Sequence, residues 1–170
     1  MRKVLILDTS ILCVWLKIPG KDTCGPANDC WDHGRVEQKI DQETSTDTVL
    51  VLPLASIIET GNHIAHAKHS CKERAEKLAE LMRSSADECS PWAAFADQSA
   101  LWSPEKLRAL ADSWPRLAAQ GLSLADATIK DVAEHYATMG CRVEILTGDR
   151  GMKAYEPLAP PEIPRRRKSP

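Results

Sequence analysis

The chain has 170 residues, of which 43% are apolar and 27% are charged, and its formal net charge is −2. This length and balance are typical of a single globular domain with a sizeable core. The near-neutral charge excludes a strong overall basic field, although a local basic patch for nucleic acid is compatible with it. No apolar run approaches the roughly 20 residues that cross a membrane, so we expect a cytoplasmic protein without membrane contact.

The N-terminus predicts a buried strand followed by a short helix. Residues 4–7 form a continuously apolar run of strand length, which is typical of a buried parallel strand. The basic residues before it resemble the start of a signal peptide, but Asp8 interrupts the apolar stretch and no small-residue cleavage site follows. Thr9 or Ser10 is placed to cap the helix after the strand.

A long polar segment separates this strand from the next one. Residues 20–48 contain few apolar side chains, and we predict a loop with one or two helical turns near Val36–Ile40. Loops of this length inside compact domains are often functional or mobile. Residues 49–52 form the second apolar strand, which Pro53 ends.

Helical spacing of apolar residues then predicts four helices. They cover residues 54–69, residues 72–85, a segment that begins at Pro104 after the N-cap Ser103, and a segment from Ser123 to about Met139.

The C-terminal part supplies the last strand and a tail. Residues 142–147 are the third strand, and one more short strand is expected within 87–97 or 154–163. Residues 157–170 are rich in proline and basic residues and predict a disordered tail. We therefore predict an α/β fold with a parallel sheet, in one domain over residues 1–156.

The six cysteines do not predict a disulfide framework. There is no CxxC pair, and a chain of this size does not need covalent staples. We expect free thiols, with one disulfide left open as an alternative because Cys24 and Cys30 flank a polar loop.

Four acidic residues stand where an α/β sheet gathers functional groups. Asp8 follows the first strand, Glu59 the second and Asp149 the third. Asp126 stands at the start of a late helix. Carboxylates at the ends of separate strands and helices can converge on one crevice of an open α/β sheet. Carboxylates gathered there repel each other unless a cation lies between them, and oxygen ligands suit Mg²⁺ or Mn²⁺. The pattern favours a metal-dependent hydrolase acting on phosphate esters.

Each carboxylate also has a structural interpretation. Asp8 is placed to cap a helix, and Asp126 follows Ser123 at capping-box spacing. Glu59 is compatible with a solvated helix position, and Asp149 with a local turn. The joint placement, more than any single residue, indicates a site.

Other chemistries are less well supported. The histidines at 63, 66 and 69 are spaced as a solvated helix face more than as a zinc site. The sequence has no GxxxxGK[ST] loop, no GxGxxG and no GxSxG elbow. We expect core positions for the tryptophans at 92, 102 and 114, in preference to a base-stacking platform.

Four stretches resemble the PIN-domain nucleases, especially the small toxin ribonucleases of bacterial and archaeal toxin–antitoxin pairs. In the family's order they are VLILDTSIL (4–12), VLPLASIIE (51–59), LSLADATI (122–129) and ILTGDRG (145–151), and together they cover a third or less of the chain.

The resemblance implies an Mg²⁺- or Mn²⁺-dependent endoribonuclease. The metal ligands and catalytic residues would be Asp8, Glu59, Asp126 and Asp149, with Ser10 and Thr147 as hydroxyl supports. It also implies a parallel sheet sandwiched by helices in three layers, a homodimer, an RNA substrate and an antitoxin partner. Beside the acids in sequence, Arg150, Lys130 and Lys153 are candidates for phosphate contacts or, equally, for local ion pairs.

The chain departs from the toxin pattern in two places. Residues 20–48 resemble an insertion and residues 87–120 an enlargement, both of which affect substrate and partner choice. Two other functions remain open. A HAD-like phosphatase also has an Asp after its first strand, but it needs a second acid where this chain has Ser10. A non-catalytic PIN-like binding module is the other alternative.

Overall fold

The computed structural model describes residues 1–158 and has a mixed α/β architecture. The elements in chain order are β1 (Lys3–Leu7), α1 (Thr9–Trp15), β2 (Thr23–Cys24), β3 (Trp31–Asp32), α2 (His33–Thr44), β4 (Val49–Val51), α3 (Leu54–Ala65), α4 (Cys71–Ala86), a 3₁₀ helix (Phe95–Trp102), α5 (Pro104–Ala119), α6 (Leu124–Thr138), β5 (Arg142–Leu146) and α7 (Arg150–Lys153). The predicted tail lies outside the described residues from 159 onward. No helix within residues 1–158 is long and apolar enough to span a bilayer.

The main sheet has three parallel strands in the order β4-β1-β5. Ile6 of the central strand lies opposite Val51 on one side and Ile145 on the other. The predicted parallel sheet is thus confirmed, and its three strands correspond to the three apolar runs. Because the strands are parallel, their carboxyl ends lie at the same edge.

Helices pack on apolar side chains from both faces of β1. Val4 and Ile6 belong to a buried cluster that includes Ile129 and Val132 of α6. Leu5 and Leu7 belong to a second cluster, with residues from α1 and α2. Successive side chains of a strand point to opposite faces, so a continuously apolar strand requires cover on both.

The four predicted helices downstream of β4 are confirmed, with differences at their ends. The first ends at Ala65 and not at residue 69, and Ser70, the N-cap of α4, takes a left-handed conformation (φ of 60°). Ser103 and Ser123 are N-caps, as predicted, and each accepts a hydrogen bond from a backbone amide three residues on. Of the three candidate N-caps for α1, Asp8 holds that position, and neither Thr9 nor Ser10 does.

The segment 20–48 is much more ordered than the loop predicted for it. β2 and β3 pair antiparallel as a short hairpin, and α2 extends over twelve residues. Asp32 caps α2 by accepting a hydrogen bond from the Arg35 amide at 2.8 Å. The helix buries Val36 and Ile40, one turn apart, against α1 and the sheet.

Residues 87–97 contain a single β-bridge in place of the extra strand expected there. Trp92 forms a single parallel bridge with Leu50, through Leu50 N–H to Pro91 O and Ala93 N–H to Leu50 O, both at 2.8 Å. Trp92 is buried as predicted, whereas Trp102 is 42% exposed and is not a core residue. The other possible location, 154–163, forms no strand up to residue 158.

Candidate functional site

Asp8 is the centre of a hydrogen-bonded group at the carboxyl end of the sheet. It directly follows the central strand and is only 6% exposed. Its Oδ2 atom accepts hydrogen bonds from the Ser10 hydroxyl and the Thr147 hydroxyl, both at 2.7 Å, and a longer one of 3.4 Å from the Ser10 amide. These donors fix the orientation of the Asp8 carboxylate at the end of the central strand.

The turn after β5 is tied to Asp8 by two further bonds. Thr147 Oγ1 accepts the amide of Asp149 at 2.9 Å, and the amide of Gly148 donates to Ser10 Oγ at 3.0 Å. Asp149 itself is exposed, and its Oδ1 accepts the Gly151 amide at 2.7 Å as the N-cap of α7. The ends of the two neighbouring strands therefore form one connected unit.

Glu59 joins the same unit from α3. Its Oε2 accepts a 2.8 Å hydrogen bond from the hydroxyl of Thr9, the residue next to Asp8. Glu59 is half-buried, in contrast to the solvated position that was the alternative. The contact requires α3 to pack against α1, which it does.

Asp126 is not hydrogen-bonded to the other three acids. Its amide donates to Ser123 Oγ at 3.0 Å, and the Ser123 hydroxyl donates to its Oδ2 at 2.7 Å. This is the capping interaction that the spacing of the two residues predicted. Its helix α6 nevertheless packs against α3 and β5, the elements that carry or precede Glu59 and Asp149.

The donor chemistry fits a hard cation, but the ligand set is incomplete as arranged. Carboxylate and hydroxyl oxygens suit Mg²⁺ or Mn²⁺, and Asp8 Oδ1 receives no hydrogen bond from residues 1–158. Within that same range, no group of three or more His, Cys, Asp or Glu side chains is positioned to hold a metal ion. Mg²⁺ is often held by one or two carboxylates, with water or phosphate oxygens as its other ligands.

Of the three candidate cations, two form local ion pairs. Lys130 pairs with Glu134, and Lys153 pairs with Glu156 at 2.6 Å while donating to Ile145 O at 3.1 Å. The exposed Arg150 donates to the side chain of Asn28. Arg150 is therefore the cation that extends from the acidic turn toward the hairpin.

The β2–β3 hairpin lies directly against this turn, which sequence reasoning did not predict. A Cβ atom built on Gly148 would lie 2.7 Å from both Cys24 Sγ and Gly25 N. Gly25 has a φ of +89°, so both glycines are needed for this close approach. Burial raises the pKa of the Cys24 thiol. The only signal in the sequence was the glycine at each position.

The hairpin and the turn share a small cavity. Its volume is about 90 Å³, and its walls include Asp29 and Trp31 from the hairpin side and Thr147, Gly148 and Asp149 from the turn. The residues 20–48 thus contribute one wall to the edge of the sheet where Asp8 lies.

Two of the three histidines at 63, 66 and 69 have local hydrogen-bond partners. His66 Nδ1 is 2.8 Å from Asn62 O, and His69 Nδ1 is 3.1 Å from Ser70 Oγ. Burial lowers the pKa of His63. All six cysteines carry free thiols.

No protein-family model, curated protein or solved structure matches the chain.

Proposed function

We propose that the protein is a metal-dependent nuclease of the PIN type that hydrolyses phosphodiester bonds in RNA. The observation that carries the proposal is the buried Asp8 at the end of the central parallel strand, hydrogen-bonded to Ser10 and Thr147. In open α/β sheets this edge is where ligands bind. Thr147 bonds to both Asp8 and the Asp149 amide, and Thr9, next to Asp8 in the chain, bonds to Glu59. Three of the four acids are therefore connected through these two threonines.

The layer arrangement proposed for the fold is a sheet between helices. It is supported by the two buried clusters, which pack α6 on one set of β1 side chains and α1 and α2 on the other. The strand order β4-β1-β5 brings the first and last matching stretches, 4–12 and 145–151, to adjacent strands.

In this proposal Asp8, Asp126, Asp149 and Glu59 hold Mg²⁺ or Mn²⁺, with water among the ligands. The bound cation would lower the pKa of a water molecule and stabilise the negative charge that develops on the phosphate. The hydroxyls of Ser10 and Thr147 fix the orientation of the Asp8 carboxylate, and Arg150 binds a phosphate of the RNA backbone.

The biological setting is proposed from the resemblance alone. An RNA substrate places the enzyme in the cytoplasm, and a toxin role would require an antitoxin protein as its inhibitor. Homodimer formation belongs to the same proposal. An arginine of the antitoxin reaching the acidic edge would oppose metal binding by charge competition.

The test compares the wild type with Asp8→Asn. Asn keeps the size and N-cap ability of Asp, so we expect the variant to stay folded. We expect Mn²⁺ or Mg²⁺ to support cleavage of labelled RNA by the wild type, EDTA to stop it, and the variant to lose at least about a hundredfold in rate, as is common when an electrostatic group is removed.

Metal binding is measured separately by thermal unfolding. A cation that binds only the folded state raises the melting temperature in a concentration-dependent way. We expect Mn²⁺ to raise it for the wild type and not for Asp8→Asn. Equal cleavage by both proteins would contradict the proposed site.

A non-catalytic binding module is the second candidate. It is favoured by the helix-capping roles of three acids: Asp8 and Asp149 act as N-caps, and Asp126 is bonded to its own N-cap Ser123. This candidate predicts RNA binding without metal-dependent cleavage. A HAD-like phosphatase would instead release phosphate from a small aryl phosphate.

A further inference from the structure

The segment 20–48 presents a planar cation beside the candidate site. The guanidinium of Arg35 lies 3.8 Å from the centre of the Trp31 ring. A 2.7 Å hydrogen bond to Cys30 O and a 2.7 Å ion pair with Asp29 hold the guanidinium over the ring. The Arg35 side chain is still 44% exposed, so the group is both anchored and open to solvent.

This stack belongs to the wall of the cavity at the sheet edge. Trp31 and Asp29, the two residues that hold the guanidinium, line the cavity together with the turn that contains Thr147 and Asp149. The hairpin cannot move freely relative to the turn, because Gly148 packs against its backbone and Arg150 is bonded to Asn28. The distance between the stack and the turn is therefore fixed by the fold.

The charge near the stack suits a nucleic acid. Asp29 is neutralised by Arg35, and Glu144, which also lines the cavity, is neutralised by Lys3 at 2.7 Å and Lys39 at 2.9 Å. Arg150 is an exposed cation at the same place, beside the exposed carboxylate of Asp149, which the proposed function assigns to the metal. A base has a flat surface that stacks on an arginine plane, and its phosphate is attracted by the neighbouring cation.

We infer that the Arg35–Trp31 stack is a base-binding subsite for single-stranded RNA, supplied by the segment 20–48. The inference rests on the proposed nuclease function, and it deepens that function by assigning a substrate contact outside the four acids. One nucleotide next to the cleaved phosphodiester stacks on the outer face of Arg35, while Trp31 supports the inner face. Arg150 binds the phosphate that lies between this stacked nucleotide and the acidic residues.

The experiment measures RNA binding in the Asp8→Asn background, in which cleavage does not consume the probe. A labelled single-stranded RNA is titrated against this parent, against Arg35→Lys in the same background, and against the matched control Arg108→Lys. Lysine keeps the charge and loses the plane. Arg108 is a suitable control because it is also an arginine paired with an acid, Glu105, and is 74% exposed on α5.

We expect Arg35→Lys to weaken binding about tenfold, as is typical for loss of one base-stacking contact. The dependence of binding on salt concentration should not change, because the number of charges is the same. Arg108→Lys should bind like the parent. Equal affinity of the Arg35→Lys variant and the control would overturn the inference while leaving the nuclease proposal intact.

A second probe series locates the stacked base. In RNAs with one abasic position each, we expect one position to weaken binding to the parent and to have no further effect with Arg35→Lys, since the same contact is already lost. Additive losses at every position would contradict stacking on Arg35. If the parent binds no RNA and the wild type cuts none, both the nuclease proposal and this subsite are wrong.

Discussion

Thr147 connects Asp8 with the turn that contains Asp149. Its hydroxyl donates to Asp8 Oδ2 at 2.7 Å and accepts the Asp149 amide at 2.9 Å. The Thr147 side chain is 8% exposed, so water has little access to its hydroxyl. Removal of this one oxygen leaves a buried carboxylate with one donor fewer and a backbone amide without its acceptor.

We predict that Thr147→Val destabilises the fold by about 2 kcal/mol, whereas Thr147→Ser has a much smaller effect. Valine has nearly the same shape as threonine and removes only the hydroxyl, while serine keeps it. Urea unfolding measures the difference. Equal stability of the valine and serine variants would show that the hydroxyl is not important for the turn.

At this scale the sequence indicated where the acids lie along the chain and named two hydroxyl residues beside Asp8, but it did not indicate the contact that brings Glu59 to them. Asp8 and Asp149 were predictable because each ends an apolar run, and their neighbours Ser10 and Thr147 do bond to Asp8. The bond from Thr9 to Glu59 joins residues fifty positions apart, and its prediction would have required the packing of two helices. The roles of these residues toward a metal stay predictions.

The segment 20–48 is the element that sequence reasoning described least well. α2 has three buried residues, of which only Val36 and Ile40 are apolar. The third is Glu43. A buried acid has no hydrophobic signal, so a helix that buries one has too few apolar positions to be recognised by periodicity. The hairpin strands are two residues long, which is below the length at which alternation is visible.

The contact between the hairpin and the turn can be tested at Gly148. We predict that Gly148→Ala destabilises the protein by about 1–3 kcal/mol, because the added Cβ would lie 2.7 Å from the Gly25 amide nitrogen and the backbone would have to shift. Amide hydrogen exchange should show weaker protection in residues 23–32. The control is Gly61→Ala in α3, where a Cβ meets no atom within 4 Å.

Gly61→Ala should instead stabilise the protein by up to about 1 kcal/mol, since alanine is the better helix former. The two substitutions add the same methyl group, so opposite signs would isolate the effect of the hairpin contact. A stabilising effect at both positions would show that the hairpin yields without cost.

At the scale of the whole molecule, one charge network attaches α2 to the sheet. Glu43 Oε1 is 2.6 Å from both Lys3 and Lys39, and its Oε2 accepts the Thr48 hydroxyl at 2.9 Å. Glu144 of β5 pairs with the same two lysines. The network connects the first strand, the last strand and the inserted helix.

These partners lower the pKa of Glu43 from 4.5 to about 2, in spite of its burial. A carboxyl with a lower pKa in the folded state stabilises the fold above its unfolded pKa, and this stabilisation is lost as the pH falls toward the folded value. We therefore expect the wild type to lose about 2–3 kcal/mol of stability from Glu43 between pH 4.5 and pH 2.

Glu43→Gln should remove most of that dependence and should destabilise the protein at pH 7, where the half-buried Lys3 and Lys39 each lose one of their two acidic partners and keep Glu144. Glu37→Gln on the same helix is the control, because Glu37 is 59% exposed and exposed pairs contribute little. Urea unfolding across the pH range measures both. Parallel curves for the wild type and Glu43→Gln would contradict this role.

The whole-molecule architecture was predictable to the extent that it follows from the apolar runs. Continuous runs at 4–7 and 49–52 require cover on both faces, which led to the parallel sheet. Strand order did not follow from them, because nothing in β4 or β5 specifies that β1 lies between the two. The bridge at Trp92 involves one residue, which has no periodicity. The sequence therefore could not show whether this segment forms a bridge or a short strand.

Both margins of the three-stranded sheet are occupied by the chain itself. Trp92 and its neighbours take up the hydrogen bonds of Leu50 on one side, and Glu156 and Lys153 take up those of Ile145 on the other, at 3.1 Å each. Unpaired strand margins are templates for intermolecular aggregation. This internal closure protects the sheet from edge-to-edge pairing between copies of the chain, and loss of the Glu156 side chain would open the β5 margin.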